Sequence, residues 1–288
     1  MSTQAANACG SIGVVYEGRE PALLARMLPF VDYLEVTLES VAIHQDGHPR
    51  LDKDVIAELK ELDDEVNIVV HGVGLSIGSH DGWSPDYFPL LDAFLDQIKV
   101  AWHSEHLAYT QVDGQFLGIM LTMPRTNEAL DLVCNRVEAI QRTYPLPFLL
   151  EHVVHVVPPF DAPFTPAGFL NELARRTSCG IILDPYNLQC DAHNHGLSVD
   201  DFLSELDTKN VKEIHMAGGV LHNGFRHDVH SRLTDPSTVD IGLAVARHLR
   251  NPDLAVIYEF MPEAIPNIGH DAIVDELRML RQTFGVAS

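Results

Sequence analysis

The chain alternates between two hydrophobic patterns. Short, nearly continuous apolar runs occur at 11–16, 33–36, 66–71, 101–106, 148–151, 180–184, 211–215 and 255–259. Their length and β-branched content fit strands buried on both faces. Between them lie stretches with apolar residues three and four apart, at 21–28, 52–62, 86–98, 127–142, 166–176, 198–206, 237–249 and 270–283, the spacing of an amphipathic helix. Two starts carry recognisable signals. Ser198 precedes Asp200 and Asp201, acids that the helix dipole favours in a first turn, and Pro166 follows Thr165 at a first helical position.

Strict alternation of strand and helix implies parallel strands with helical crossovers, and eight pairs is the closing number of the (β/α)8 TIM barrel. The expectation is one α/β domain over residues 1–288. An open doubly wound sheet is the competitor, yet neither a dinucleotide fingerprint nor a phosphate loop follows the first run. The segment 107–120, centred on Asp113-Gly114, predicts a β-hairpin inserted after the fourth strand.

Composition narrows the function classes. The 288 residues have mean hydropathy near zero, which fits a compact globule. A formal charge of −22 repels phosphate backbones and argues against nucleic acid. No apolar run reaches the roughly 18 residues of a membrane span, and no signal peptide is evident, so a cytoplasmic location is expected. The cysteines, Cys9, Cys134, Cys179 and Cys190, form no C-x-x-C pair. Cys134 reads as a buried small hydrophobe, Trp83 and Trp102 as packing residues, and Asp191, His193 and His195 as a solvated loop.

The informative polar residues stand where the apolar runs stop. His71 ends the third run, Glu105-His106 the fourth, Glu151-His152 the fifth, Asp184 the sixth with Asn187 just beyond, His215 the seventh and Glu259 the eighth; His227, Asp228 and His230 follow the seventh. A lone histidine at a strand end is usually a structural hydrogen-bonding residue. Recurrence on consecutive strands is different, because in a closed barrel all these ends meet at one mouth. Two like charges about 4 Å apart repel by about 4 kcal/mol at an effective dielectric of 20. The lysines, at 53, 60, 99, 209 and 212, fall away from that rim. Divalent cations are the natural counter-charge. The donors exceed what one ion needs, and an imidazole–carboxylate set without thiolate suits iron, manganese or zinc. A Schiff-base mechanism lacks its strand-end lysine.

The motifs HGVGLSIGS (71–79), SEHLAY (104–109), LDPYNL (183–188), IHMAGG (214–219), DVH (228–230) and YEF (258–260) resemble those of the multinuclear non-haem iron-dependent oxidases. That family includes the methanobactin biosynthesis oxidase and an enzyme that processes a peptidyl cysteine toward thiaglutamate. The resemblance covers about residues 10–280. It implies a (β/α)8 barrel holding two or three irons through His71, His106, Glu151, Asp184, Asn187, His215, Asp228, His230 and Glu259, with Glu105 orienting a ligand. It further implies dioxygen as cosubstrate, oxidation of a residue, usually cysteine, of a ribosomally made precursor peptide, and a companion protein that binds the leader. Two positions depart from the family: His152 stands where asparagine is common, as an extra ligand or a substrate contact, and Gly219 stands where histidine is frequent. Metal-dependent sugar isomerases, endonuclease-IV-like hydrolases and a non-catalytic metal-dependent peptide-binding protein are the alternatives.

Overall fold

A computed structural model describes residues 10–45, 47–62, 65–249 and 253–285; Cys9 lies outside them. Eight parallel strands close a barrel: β1 Ser11–Val15, β2 Tyr33–Val36, β3 Asn67–Gly72, β4 Val100–His106, β5 Phe148–Glu151, β6 Gly180–Leu183, β7 Val211–Met216 and β8 Ala255–Tyr258. Each strand pairs with its neighbours in sequence. β1 closes against β8 from Ser11↔Ala255 to Val14↔Tyr258. The expected runs match these strands to within a residue or two at each end.

The helices cover the outside as their spacing requires. Asn127–Thr143 buries Leu130, Val133, Cys134, Val137 and Ile140, one stripe at three- and four-residue intervals. Its first turn is closed by Thr126, whose side chain accepts from the Ala129 amide. The starts at Thr165-Pro166 and Ser198 behave as read: the Thr165 hydroxyl caps Gly168 N, and the Ser198 hydroxyl caps Asp201 N.

The hairpin after β4 pairs Ala108–Val112 with Gln115–Thr122, ending two residues later than expected. Asp113 and Gly114 both take positive φ, 50° and 69°, which the tight turn requires. Several elements go beyond the sequence reading, among them a short helix Ile265–Ile268. Antiparallel hairpins join 42–45 to 48–51 and 220–222 to 225–227. Helix Pro185–His195 begins directly after β6, so Asp191, His193 and His195 are helical, not a solvated loop. Asp191 is buried and binds His155 through both its backbone N–H and its ring Nδ1. No helix among the described residues is long and apolar enough to cross a membrane.

Contacts between non-adjacent strands identify the lumen. Trp102 on β4 donates to Glu213 on β7 at 2.7 Å and packs on Tyr33 of β2, with ring centroids 4.8 Å apart. His215 on β7 reaches Glu35 on β2. Side chains alternate along a strand, so Glu213 and His215 share the inward face of β7, with the histidine nearer the C-terminal rim.

Candidate metal centre

Local structure aims each donor at the mouth. Asp184 is the N-cap of helix Pro185–His195: its Oδ1 accepts from Tyr186 N and Asn187 N at 2.6 and 3.0 Å. Pro185 occupies the first helical position, where no amide is needed. Capping fixes Oδ1 and leaves Oδ2 with no hydrogen-bond partner. Asn187, in the same first turn, donates to Glu151 Oε1 and the His152 carbonyl, both at 3.1 Å, and its Oδ1 is left without a partner.

The histidine rings are set from behind. His71 Nδ1 meets Ser104 Oγ at 2.9 Å, and Ser104 itself donates to the Val70 carbonyl. His106 Nδ1 meets the Gly72 carbonyl at 3.0 Å. A Cβ on Gly72 would collide with the Tyr87 hydroxyl, so glycine permits the packing that places this carbonyl. His230 adopts φ 42°, a strained backbone for a residue with a side chain. Its carbonyl is held by the Met261 amide at 2.9 Å.

The donors form a chain of groups. His71, His106 and Glu151 make one; Glu151, Asp184 and His215 a second; Asp184, His230 and Glu259 a third; a fourth, Glu35, His71 and His215, adjoins the first two through its histidines; the donor atoms of each lie within 4.8 Å of one another. Glu151 belongs to the first two groups and Asp184 to the second and third, so carboxylates link adjacent positions. His71 Nε2 and His106 Nε2 stand 3.3 Å apart, and Glu151 Oε2 is 3.1 and 3.5 Å from them. Two ligands roughly 2.1 Å from one ion, at right to tetrahedral angles, lie roughly 3.0–3.4 Å apart. His215 Nδ1 is 2.9 Å from Glu259 Oε2, and His230 Nε2 is 2.8 Å from Asp228 Oδ1. These four atoms are nonetheless without hydrogen-bond partners. They converge without the alignment of a donor on an acceptor, an arrangement suited to a shared cation.

The electrostatics describe a pocket short of positive charge. Burial drives Glu35 up to about 8, and burial with the nearby Asp228 drives Asp184 well above the carboxylate range. Burial opposes protonation of His71, yet Glu151 and Glu35 hold it up to about 9; Glu259, Glu35 and Glu151 raise His215 against the same penalty. His106 goes the other way, to about 4, through burial and the neighbouring His71. Glu259 falls to about 2 despite burial, held by His215 and His230. Protons and cations would compete for these atoms. Cys190 is buried, and burial with Asp228 and Asp184 keeps its thiol protonated.

Of the residues expected at the site, His71, His106, Glu151, Asp184, His215, His230 and Glu259 supply the first three groups, Asn187 binds Glu151, and Asp228 pairs with His230. Glu105 acts on a candidate donor through its backbone. Its carboxylate holds Leu75 N and His106 N, each at 2.7 Å, whereas the His106 ring is set by Gly72. His152 lies outside the groups; its ring packs near Phe202 and lines an apolar cavity of about 50 Å³ with Leu107, Val153 and Leu188. At Gly219 a side chain would meet Tyr186 and the His227 carbonyl. Glu35 and Glu213 were missed. Both are fully buried, and a charged residue inside an aliphatic strand, at two-residue spacing from His215 in the case of Glu213, was the available signal.

The fold and rim together define a closed α/β barrel with a carboxylate-linked string of metal-capable donors at one mouth. Residues 12–281 match the RiPP precursor modification enzyme MbnB/TglH/ChrH family, and the chain belongs to that family. A UPF0276 protein of Rhizorhabdus wittichii is 34% identical over 206 residues, covering 72% of this chain and 71% of that one. Another from Anaeromyxobacter sp. is 36% identical over 191 residues, 66% of this chain and 65% of that one. Among solved structures, a xylose isomerase domain containing protein from Salmonella typhimurium superposes with TM-score 0.63 at 10% identity, covering 95% of this chain and 97% of that one. D-Psicose 3-epimerase from Clostridium cellulolyticum gives 0.60 at 13%, covering 96% and 100%. Endonuclease IV from Thermus thermophilus gives 0.57 at 17%, covering 94% and 98%. These likenesses establish the barrel fold.

Proposed function

We propose that this chain is an iron-dependent oxidase that uses dioxygen to modify a residue, cysteine by preference, of a ribosomally made precursor peptide. The observation that carries the reading is the chain of three donor groups linked through Glu151 and Asp184, in a member of a RiPP-modifying family. His71, His106, Glu151, Asp184, Asn187, His215, Asp228, His230 and Glu259 would hold two or three ions. Bound there, ferrous iron would supply reducing electrons for dioxygen, and the residues named would hold and orient it.

The chain's own residues serve as ligands and orienters. Ser104 and the Gly72 carbonyl hold Nδ1 of His71 and His106, so that each Nε2 would be the lone-pair donor once a cation displaces any proton there. Asn187 steadies Glu151 between the first two groups. The peptide would lie across the mouth. Phe116, Leu117, Val157, Phe160, Leu221 and Met261 are exposed apolar side chains on loops that follow barrel strands at this face, a rim suited to an extended peptide and a companion protein that delivers its leader. The hairpin 108–122 contributes part of that rim.

Anaerobic iron loading followed by oxygen uptake in the presence of a cysteine-containing precursor peptide tests the reading. Peptide-dependent uptake with a mass change on the cysteine is expected. Activity with zinc or manganese alone and no oxygen use would favour isomerase- or nuclease-type chemistry. Iron binding and peptide binding with neither uptake nor mass change would favour a non-catalytic binding protein. Replacing the hairpin by a short turn should weaken peptide binding.

A further inference from the structure

His71, His106 and His215 are not backed alike. His71 and His106 turn Nε2 toward Glu151, and behind them the hydrogen-bonding partners are neutral, the Ser104 hydroxyl at 2.9 Å and the Gly72 carbonyl at 3.0 Å, with the Glu105 carboxylate no nearer than 3.9 Å to His106 Nδ1. His215 presents Nδ1 to Glu259 and Glu151, at 2.9 and 3.4 Å. Its other nitrogen, Nε2, meets a carboxylate, Glu213 Oε1, at 3.0 Å, and Glu35 Oε2 stands 3.4 Å from the same nitrogen. Glu213 is fixed from below, where Trp102 Nε1 donates to its Oε2 at 2.7 Å. Glu35, Glu213 and His215 are fully buried, so water screens none of these contacts.

A ligating imidazole that donates its second N–H to a carboxylate has a fixed tautomer and a more basic metal-binding nitrogen. A carbonyl or hydroxyl acceptor has a smaller effect, because charged hydrogen bonds are roughly twice as strong as neutral ones. The barrel floor therefore distinguishes two positions that similar donors would otherwise make alike.

We propose that Glu213, backed by Glu35 and held by Trp102, is a positioning residue that fixes His215 with Nδ1 facing the centre and makes the cation position at His215 bind its ion more tightly, and favour a higher charge on it, than the position at His71 and His106. The inference rests on the metal-centre reading above and adds an inequality among its positions. Neither Glu213 nor Trp102 is a ligand in that reading.

The test is titration of the chelator-stripped full chain with cobalt(II), followed by calorimetry and by visible absorption, for the wild type, Glu213→Gln and Trp102→Phe. Glu213→Gln should weaken one ion by about 10–100-fold, alter the cobalt absorption of that ion and leave the others unchanged. Trp102→Phe leaves the carboxylate but frees it, and should weaken the same ion less. In iron-loaded protein the same variants should raise the reduction potential of one ion only. Unchanged affinities in both variants, or equal weakening of every ion with the fold intact by circular dichroism, would overturn the proposal. A wild type that binds no cobalt would overturn the metal-centre reading as well. If Glu213→Gln fails to fold, Trp102→Phe decides: an unchanged one-ion affinity refutes the role.

Discussion

Glu151→Gln strikes the residue shared by the first two donor groups. The substitution keeps the side chain's size and removes its charge, at a point 3.1 to 3.5 Å from His71, His106 and His215. The expected size follows from linkage. An ion that binds only the folded chain stabilises it by RT ln(1 + [L]/Kd), about 2.7 kcal/mol at 100 times Kd. With an unfolding entropy near 2.1 cal/mol/K per residue, a chain of this length loses stability at roughly 0.6 kcal/mol per degree around its midpoint. Each ion then raises Tm by about 4–5 °C, and three by about 13 °C. Of the three groups linked through Glu151 and Asp184, Glu151→Gln leaves intact that of Asp184, His230 and Glu259, so the metal-induced rise carried by the linked groups should shrink to about 4–5 °C. Differential scanning calorimetry of chelator-stripped protein, with and without iron(II) under nitrogen, measures both rises. Equal rises in variant and wild type would refute the bridging role of Glu151.

Three further outcomes are expected. Because His71 holds its proton up to about 9, cation binding must release protons, and affinity should climb from pH 6 toward pH 9; calorimetry in buffers of different ionisation enthalpy counts the protons, and no release would contradict the competition. His103 is depressed to about 3 by burial, so the unfolded chain binds its proton first: the contribution is complete above about pH 6.5 and lost as pH falls toward 3. At pH 5 this amounts to about 2 kcal/mol, and urea melts should show a shallower acid loss for His103→Gln than for wild type. Thr126→Ala removes the cap on Ala129 N and should cost about 1 kcal/mol, read as a midpoint shift at constant m-value.

The barrel was legible because its strands are buried on both faces and therefore uniformly apolar, and because each helix keeps a stripe such as Leu130, Val133, Val137 and Ile140. Helix Pro185–His195 escaped although Asp184-Pro185 is a good start signal; its polar and apolar residues are mixed, and its first turns bury polar and apolar residues alike. The candidate donors were legible for a positional reason, since a strand end in a closed barrel is a place at one mouth. That same rule missed Glu35 and Glu213, which lie inside their strands and depend on the two-residue alternation that puts them in the lumen with His215. His152 stands apart from the donor groups: it follows the inward Glu151, and its ring lies near Phe202.

Anomalous diffraction from iron-loaded crystals grown under nitrogen tests the central claim most directly. Separate peaks are predicted among His71, His106 and Glu151, among Glu151, Asp184 and His215, and, if a third ion binds, among Asp184, His230 and Glu259. Iron located elsewhere, or a mouth whose carboxylates and imidazoles enclose no peak in fully loaded protein, would contradict it.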